Sequence, residues 1–251
     1  MALALLLAAA ASSNWAGYAV SGSTFTDVKG TWVQPAVTCP TVGSTHAAFW
    51  VGLGGFTDDM DTGGLEQTGT EADCEDGQAS YNAWYEILPD ASVAVPVDVS
   101  AGDTMAAEVS VVGTGATLTI TDVTAGQTFT TTATPAVLDT SSAEWIAEAP
   151  SRCLGTHCSA LQLANFGTVQ FSGSSTTANG HVGTISDASW SATSIELGGN
   201  AGSAVPAALS PDGSGFAVAF TPPAVQARQP PPPKPKAEKK PKPKRHRHAV
   251  L

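Results

Sequence analysis

Apolar and polar residues alternate at period two along most of the chain. Val93, Val95, Val97 and Val99 recur at every second position, which places their side chains on one face of an extended segment. Over residues 81–89 the same alternation puts Asn82, Trp84 and Glu86 on one face and Tyr81, Ala83 and Tyr85 on the other. The pattern predicts further strands at residues 13–20, 30–35, 46–55, 106–112, 118–123, 128–132, 168–171, 181–185, 194–197 and 216–220. Gly, Ser, Asn and Asp punctuate them. Helix-length amphipathic periodicity is missing, as is any internal repeat. About a dozen short strands at this spacing predict an all-β fold, an antiparallel sandwich or jelly roll.

Two stretches stand out from this scaffold. Gly64-Leu65-Glu66-Gln67-Thr68-Gly69 puts a glutamine between glycines and reads as a site rather than a strand, with Glu66 its outward-facing neighbour. Its expected partner is the 142–150 segment, which combines Glu144, Trp145 and Glu148 in a short apolar alternation. The chemistry of such a pair is coherent. A carboxylate of raised pKa can take a proton from water and return it to a leaving amine, while a side-chain amide donates to a developing oxyanion at any pH. Glu144 and Glu148 share a strand face about 13 Å apart at ~3.3 Å per residue, so both cannot contact one scissile bond.

Composition sets the surroundings of this pair. The 251 residues suffice for one well-buried domain, and only 13% are charged. Lys29 and Arg152 alone precede Arg228, against 21 acidic residues, so residues 1–227 carry −19 while residues 228–251 carry +8. A body this acidic repels itself at neutral pH and loses that repulsion as its carboxylates protonate, which points to an acidic working environment. Beyond Pro222-Pro223 the chain turns to Pro, Lys, Arg and His, the composition of an extended arm suited to anionic surfaces or to the acidic body itself. The expected division is residues 1–11 as a signal-peptide remnant, 12–222 as the folded domain and 223–251 as the tail. The leading apolar run is too short to cross a membrane. Four cysteines without a Cys-x-x-Cys spacing favour disulfides over metal, in an oxidising compartment. Cys153 would close a small loop with Cys158, leaving Cys39 for Cys74.

Other chemistries are weaker. The Gly-x-Ser-x-Gly, His-Glu-x-x-His and Gly-Lys-Ser/Thr patterns are missing, and His46, His157 and His181 are scattered. Asp61-Thr62-Gly63 and Asp139-Thr140-Ser141 imitate the pair of pepsin-like aspartic proteases, but Asp61 follows Asp58-Asp59-Met60 rather than an apolar strand. A glycoside hydrolase would use Glu86 and Glu148 as its carboxylates. A lectin-like module would keep a Trp-lined face for glycan without catalysis.

Five ordered motifs add specificity: Ser13-Asn14-Trp15-Ala16-Gly17, Phe49-Trp50-Val51-Gly52, Leu65-Glu66-Gln67-Thr68-Gly69, Tyr81-Asn82-Ala83-Trp84-Tyr85-Glu86 and Ala143-Glu144-Trp145-Ile146-Ala147-Glu148. In this order they resemble the glutamic peptidases, or eqolisins, the aspergilloglutamic and scytalidoglutamic peptidase family, from about residue 13 to 220. The resemblance implies a β-sandwich of two large antiparallel sheets of concanavalin A-like jelly-roll type. It also implies a secreted, pepstatin-insensitive acid endopeptidase acting on polypeptides as a monomer, without metal or other cofactor. Gln67 falls on the catalytic glutamine, and Glu148, which closes the Ala-Glu-Trp-Ile-x-Glu pattern, on the catalytic glutamate, with Glu144 ranked second. Trp15, Trp50, Trp84 and Glu86 match cleft positions that hold the peptide or support the dyad. Gly54-Gly55 stands where fungal relatives carry an acidic residue. The resemblance further implies a basic, cleavable propeptide, for which the stretch between Ala10 and Ser13 leaves no room; the cationic tail is the expected substitute, covering the acidic cleft near neutral pH.

Overall fold

The computed structural model describes residues 9–56, 63–154 and 157–222. The leader up to residue 8, Asp61 and the tail from residue 223 lie outside them. Every regular element is a strand: β1 Ala10–Ser12, β2 Trp15–Ser21, β3 Phe25–Val33, β4 Ser44–Leu53, β5 Glu66–Glu75, β6 Gln78–Ile87, β7 Val93–Val95, β8 Thr104–Val112, β9 Gly115–Asp122, β10 Gln127–Ala133, β11 Ser142–Glu148, β12 Ser151–Leu154, β13 His157–Ala160, β14 Thr168–Ala178, β15 His181–Thr184, β16 Ser191–Leu197, β17 Ser203–Pro206 and β18 Phe216–Thr221. The stretch around Gln67, expected to be a loop-like site, is instead the first half of the ten-residue β5.

The two expected sheets are two wings of one sixteen-stranded ladder in the order β10-β9-β8-β3-β14-β18-β17-β16-β2-β11-β4-β5-β6-β7, with β1 and β15 attached at its sides. Short β17 joins the wings, pairing with β16 only at Leu197 and Ala204. Pairing is antiparallel along this path, and β1 runs parallel to β16. The wings face each other across the core: Trp32 Nε1 on β3 donates to Thr70 Oγ1 on β5 at 3.0 Å, and Trp145 Nε1 on β11 donates to the Lys29 carbonyl on β3 at 2.8 Å. Tyr85 stacks on Phe129 at a centroid distance of 6.0 Å.

Burial differs between the wings. On β8, Met105, Ala107, Val109 and Val111 are buried and alternate with half-exposed neighbours, the signature of a strand with one wet face. On β4, β5 and β11 both faces are covered. One face meets the main core, and the other carries a second apolar cluster of Ala19, Ala48, Trp50, Leu65, Trp84, Ile146 and Ile195. That cluster forms the floor of a cleft. Gly69 makes the floor possible, because a Cβ there would stand 2.6 Å from Trp50 Cβ and 2.1 Å from the Phe49 carbonyl oxygen.

Two disulfides complete the scaffold, pairing Cys39 with Cys74 and Cys153 with Cys158 as expected. The second ties β12 to β13, which form a separate hairpin.

Candidate active site

Strand register assembles the cleft. Gln67 on β5 lies opposite Gly52 on β4 and Glu86 on β6. Glu148 on β11 lies between Trp15 on β2 and Ala48 on β4. Since directly opposed residues share a face, the period-two series Gln67-Gly69-Glu71, Trp84-Glu86, Trp50-Gly52 and Ile146-Glu148 all look the same way. The resulting cavity of about 350 Å³ is lined by Trp15, Gln67, Glu71, Trp84, Glu86 and Glu148, among others. Pro150, Ser151, Cys153 and Cys158 of the disulfide hairpin form its far wall.

Both oxygens of Glu148 are held. Asn14 Nδ2 donates to Oε1 at 3.0 Å and Trp50 Nε1 to Oε2 at 2.8 Å. Trp15 packs edge-on against Trp50, with ring centroids 5.0 Å apart, so the donor ring has little freedom. Burial pushes the Glu148 carboxyl up to about 7; the two donors oppose that rise and the nearby Glu86 adds to it. Gln67 Nε2 donates to Glu86 Oε2 at 2.6 Å, which fixes the plane of the amide. Glu86 is raised as well, chiefly by burial, against the pull of the Gln67 hydrogen bond. Glu71 accepts from Asn82 Nδ2 at 3.1 Å and is raised chiefly by burial. Three carboxyls thus share one cavity with no Lys or Arg among the described residues that line it.

The remaining candidates lie elsewhere. Glu144 sits opposite Gly52, in the same row as Gln67, yet is fully buried and does not line the cavity. Glu66, expected to face outward, is also fully buried, because the face of β5 opposite the cleft is core rather than solvent. Asp139 spends its carboxylate on the amides of Gly55 at 3.2 Å and Ser141 at 2.9 Å and does not line the cavity either. A Cβ at Gly54 would stand 2.7 Å from the Asp139 Cβ, so Asp139 fills the space beside the Gly54-Gly55 turn. Among the described residues no group of three or more His, Cys, Asp or Glu side chains is placed to hold a metal ion. Two cleft residues escaped the sequence reading as site residues. Asn14 was visible only as part of a motif, and Glu71 follows Gln67 by four positions, a spacing that already puts both on one strand face.

Residues 13–216 match the Peptidase A4 family. The chain belongs to the Peptidase A4 family. Aspergillopepsin-2 of Aspergillus niger is 32% identical over 200 residues, which cover 70% of this chain and 68% of that protein. Scytalido-glutamic peptidase, solved with a transition state analog inhibitor, superposes with a TM-score of 0.71 at 25% identity, covering 83% of this chain and 98% of that one. Aspergilloglutamic peptidase from Aspergillus niger superposes at 0.59 with 29% identity, covering 70% and 99%. As an A4 family member the chain is a glutamic peptidase.

Proposed function

We propose that this A4 peptidase is a secreted endopeptidase that works on the acid side of neutrality through Gln67 and Glu148, with no covalent intermediate. The observation that supports the dyad is its shared cavity: a carboxyl poised by two donors and an amide locked by a neighbouring carboxyl open onto the same 350 Å³ space. Glu148 as carboxylate takes a proton from a water whose oxygen attacks the scissile carbonyl. Each Glu148 oxygen keeps a lone pair for this after accepting its hydrogen bond. Gln67 Nε2 has two protons, one of which goes to Glu86. The other donates to the oxygen that becomes negative in the tetrahedral intermediate. The proton held by Glu148 then passes to the leaving nitrogen, the C–N bond breaks, and the carboxylate is regenerated. Glu86 acts through Gln67 as a positioning residue, and Trp15 and Trp84 give the extended substrate an apolar floor, while Trp50, buried beneath them, holds Glu148. Two disulfides fit an extracellular setting.

The test is hydrolysis of an unfolded protein substrate at pH 5, with and without pepstatin. Wild type is expected to cleave in both conditions. Gln67→Ala is expected to lose roughly 10²–10³ in kcat, the usual cost of an oxyanion donor, and Glu148→Gln roughly 10²–10⁴, that of a positioned base. Glu144→Gln, away from the cleft, is expected to stay within about tenfold of wild type, since its carboxyl touches no reacting group. Inhibition by pepstatin would return the chemistry to Asp61 and Asp139. A larger loss in Glu144→Gln than in Glu148→Gln would reverse the choice of glutamate.

A further inference from the structure

At the end of the sheet where β5 and β11 begin, two carboxyls that the proposed mechanism does not use are sealed inside the protein. Glu66 and Glu144 are each 0% exposed. None of their four side-chain oxygens has a hydrogen-bond partner among the described residues. Their surroundings offer no compensating charge. Glu66 is flanked by Leu53 on β4 and Ile87 on β6; Glu144 is flanked by Ala19 on β2 and Gly52 on β4. The charged group that reaches both is Asp139, from the connection between β10 and β11, and Glu66 adds its own charge at Glu144. Lys29 is engaged with Asp27 at 3.4 Å and Glu108 at 3.8 Å on the opposite wing. Residues 57–62, outside the described ones, contain three aspartates and no Lys or Arg. An uncompensated carboxylate in such a place is strongly disfavoured, so both groups fold as neutral acids.

We propose that Glu66 and Glu144 form a pH latch: neutral, they let the first turns of β5 and β11 close; ionised, they force that end of the sheet open and displace Gln67, the residue directly after Glu66. Loss of function toward neutral pH would then come from opening of the scaffold and not only from titration in the cleft. Burial, with Asp139 adding to it, pushes Glu66 up to about 8, and Glu144 is raised well above the ordinary carboxylate range by burial, which outweighs the opposing Ser142 hydroxyl and is reinforced by Asp139 and Glu66. In the unfolded chain both ionise near the usual ~4.3. A group raised on folding contributes stability that is complete below its unfolded pKa and is lost as pH climbs toward the folded one. The window for the latch therefore runs from about pH 4.5 to about 8. Within it each carboxyl multiplies the unfolding equilibrium constant by about ten per pH unit, and the pair by up to about a hundred.

Urea unfolding of the full chain with disulfides intact, followed by tryptophan fluorescence at half-unit steps from pH 4.5 to 7.5, tests the latch. The proteins are wild type, Glu66→Gln/Glu144→Gln and, in case amides are poorly tolerated there, Glu66→Leu and Glu144→Gln singly. The double variant is expected to unfold with a pH slope shallower by up to about a hundredfold per unit, and each single variant by up to about tenfold. Hydrogen exchange protection of the Gln67 and Thr68 amides should fall between pH 5 and 7 in wild type and hold in the double variant. Slopes that superimpose on wild type in every variant that folds would overturn the proposal, as would unchanged protection at Gln67. These readouts involve no catalysis, so failure of the peptidase mechanism and failure of the latch are told apart.

Discussion

Glu148 carries the most consequential balance at the scale of single residues. Burial raises its carboxyl, and the Asn14 and Trp50 donors hold that rise to about 7. A base with this pKa is mostly protonated in strong acid, so kcat/KM should climb about tenfold per pH unit below it before the loss of stability at higher pH cuts it off. This puts the expected working range in mild rather than strong acid. Asn14→Ala and Trp50→Phe each remove a donor that favours the ionised form. A hydrogen bond to a charged group is worth about 1.5–3 kcal/mol, so either change should move the rising limb upward by at least about one pH unit, at 1.36 kcal/mol per unit. Profiles of kcat/KM against pH check it. A limb that stays in place, with only KM altered, would mean the donors shape the cleft without tuning the base. Gln67 and Glu148 were singled out by the motifs around them, and the structure brings both onto one cavity. The burial of Glu66 was not legible. Alternation assigned it correctly to the face opposite Gln67, but the sequence does not say which faces of a sandwich strand are wet.

Legibility at the element scale follows the same physics. β8 and β9 were readable because one face is solvated, so buried and half-exposed positions alternate through Met105–Val111 and Ala116–Asp122. β5 was read as a break in the pattern because both of its faces are covered over most of its length and glycine interrupts it at Gly69 for close packing. The hairpin of β12 and β13 has only four residues per strand, and β13 is exposed over most of its length, which leaves no periodicity to detect. The two disulfides should accordingly separate stability from function. Cys39 and Cys74 close a loop with a sequence separation of 35, for which loop-closure entropy gives roughly 4 kcal/mol. Replacing both with Ser should lower urea stability by roughly that amount and leave KM near wild type. Cys153 and Cys158 are 5 apart and line the cleft. Replacing that pair should cost roughly 2 kcal/mol at most and raise KM for peptide substrates more than it lowers kcat. Equal effects of the two pairs on KM would show that the hairpin is not a working wall of the cleft.

Charge is the property that only the whole molecule has. Residues 1–227 carry −19 and residues 228–251 carry +8, and three of the body's carboxyls, Glu71, Glu86 and Glu148, line the cleft with no cation among the described lining residues. All three carboxyls are raised, so in strong acid the cleft is close to neutral and offers a cationic segment little. As pH rises toward 7 the carboxyls ionise and the attraction grows, in a cavity where field lines are focused by low-dielectric walls. We propose that the tail then competes with substrate for the cleft from within the same chain. Salt provides the discriminating measurement, because the Debye length falls from about 30 Å at 0.01 M to about 10 Å at 0.1 M. At pH 6.5 the full chain should cleave a neutral peptide faster as salt is raised over that range, while a chain ending at residue 227 should be faster at low salt and nearly indifferent to its increase. At pH 4 the two proteins should coincide at both salt concentrations. If they respond to salt identically at pH 6.5, the attraction between body and tail does not reach the cleft, and the acidic lining acts on substrate alone.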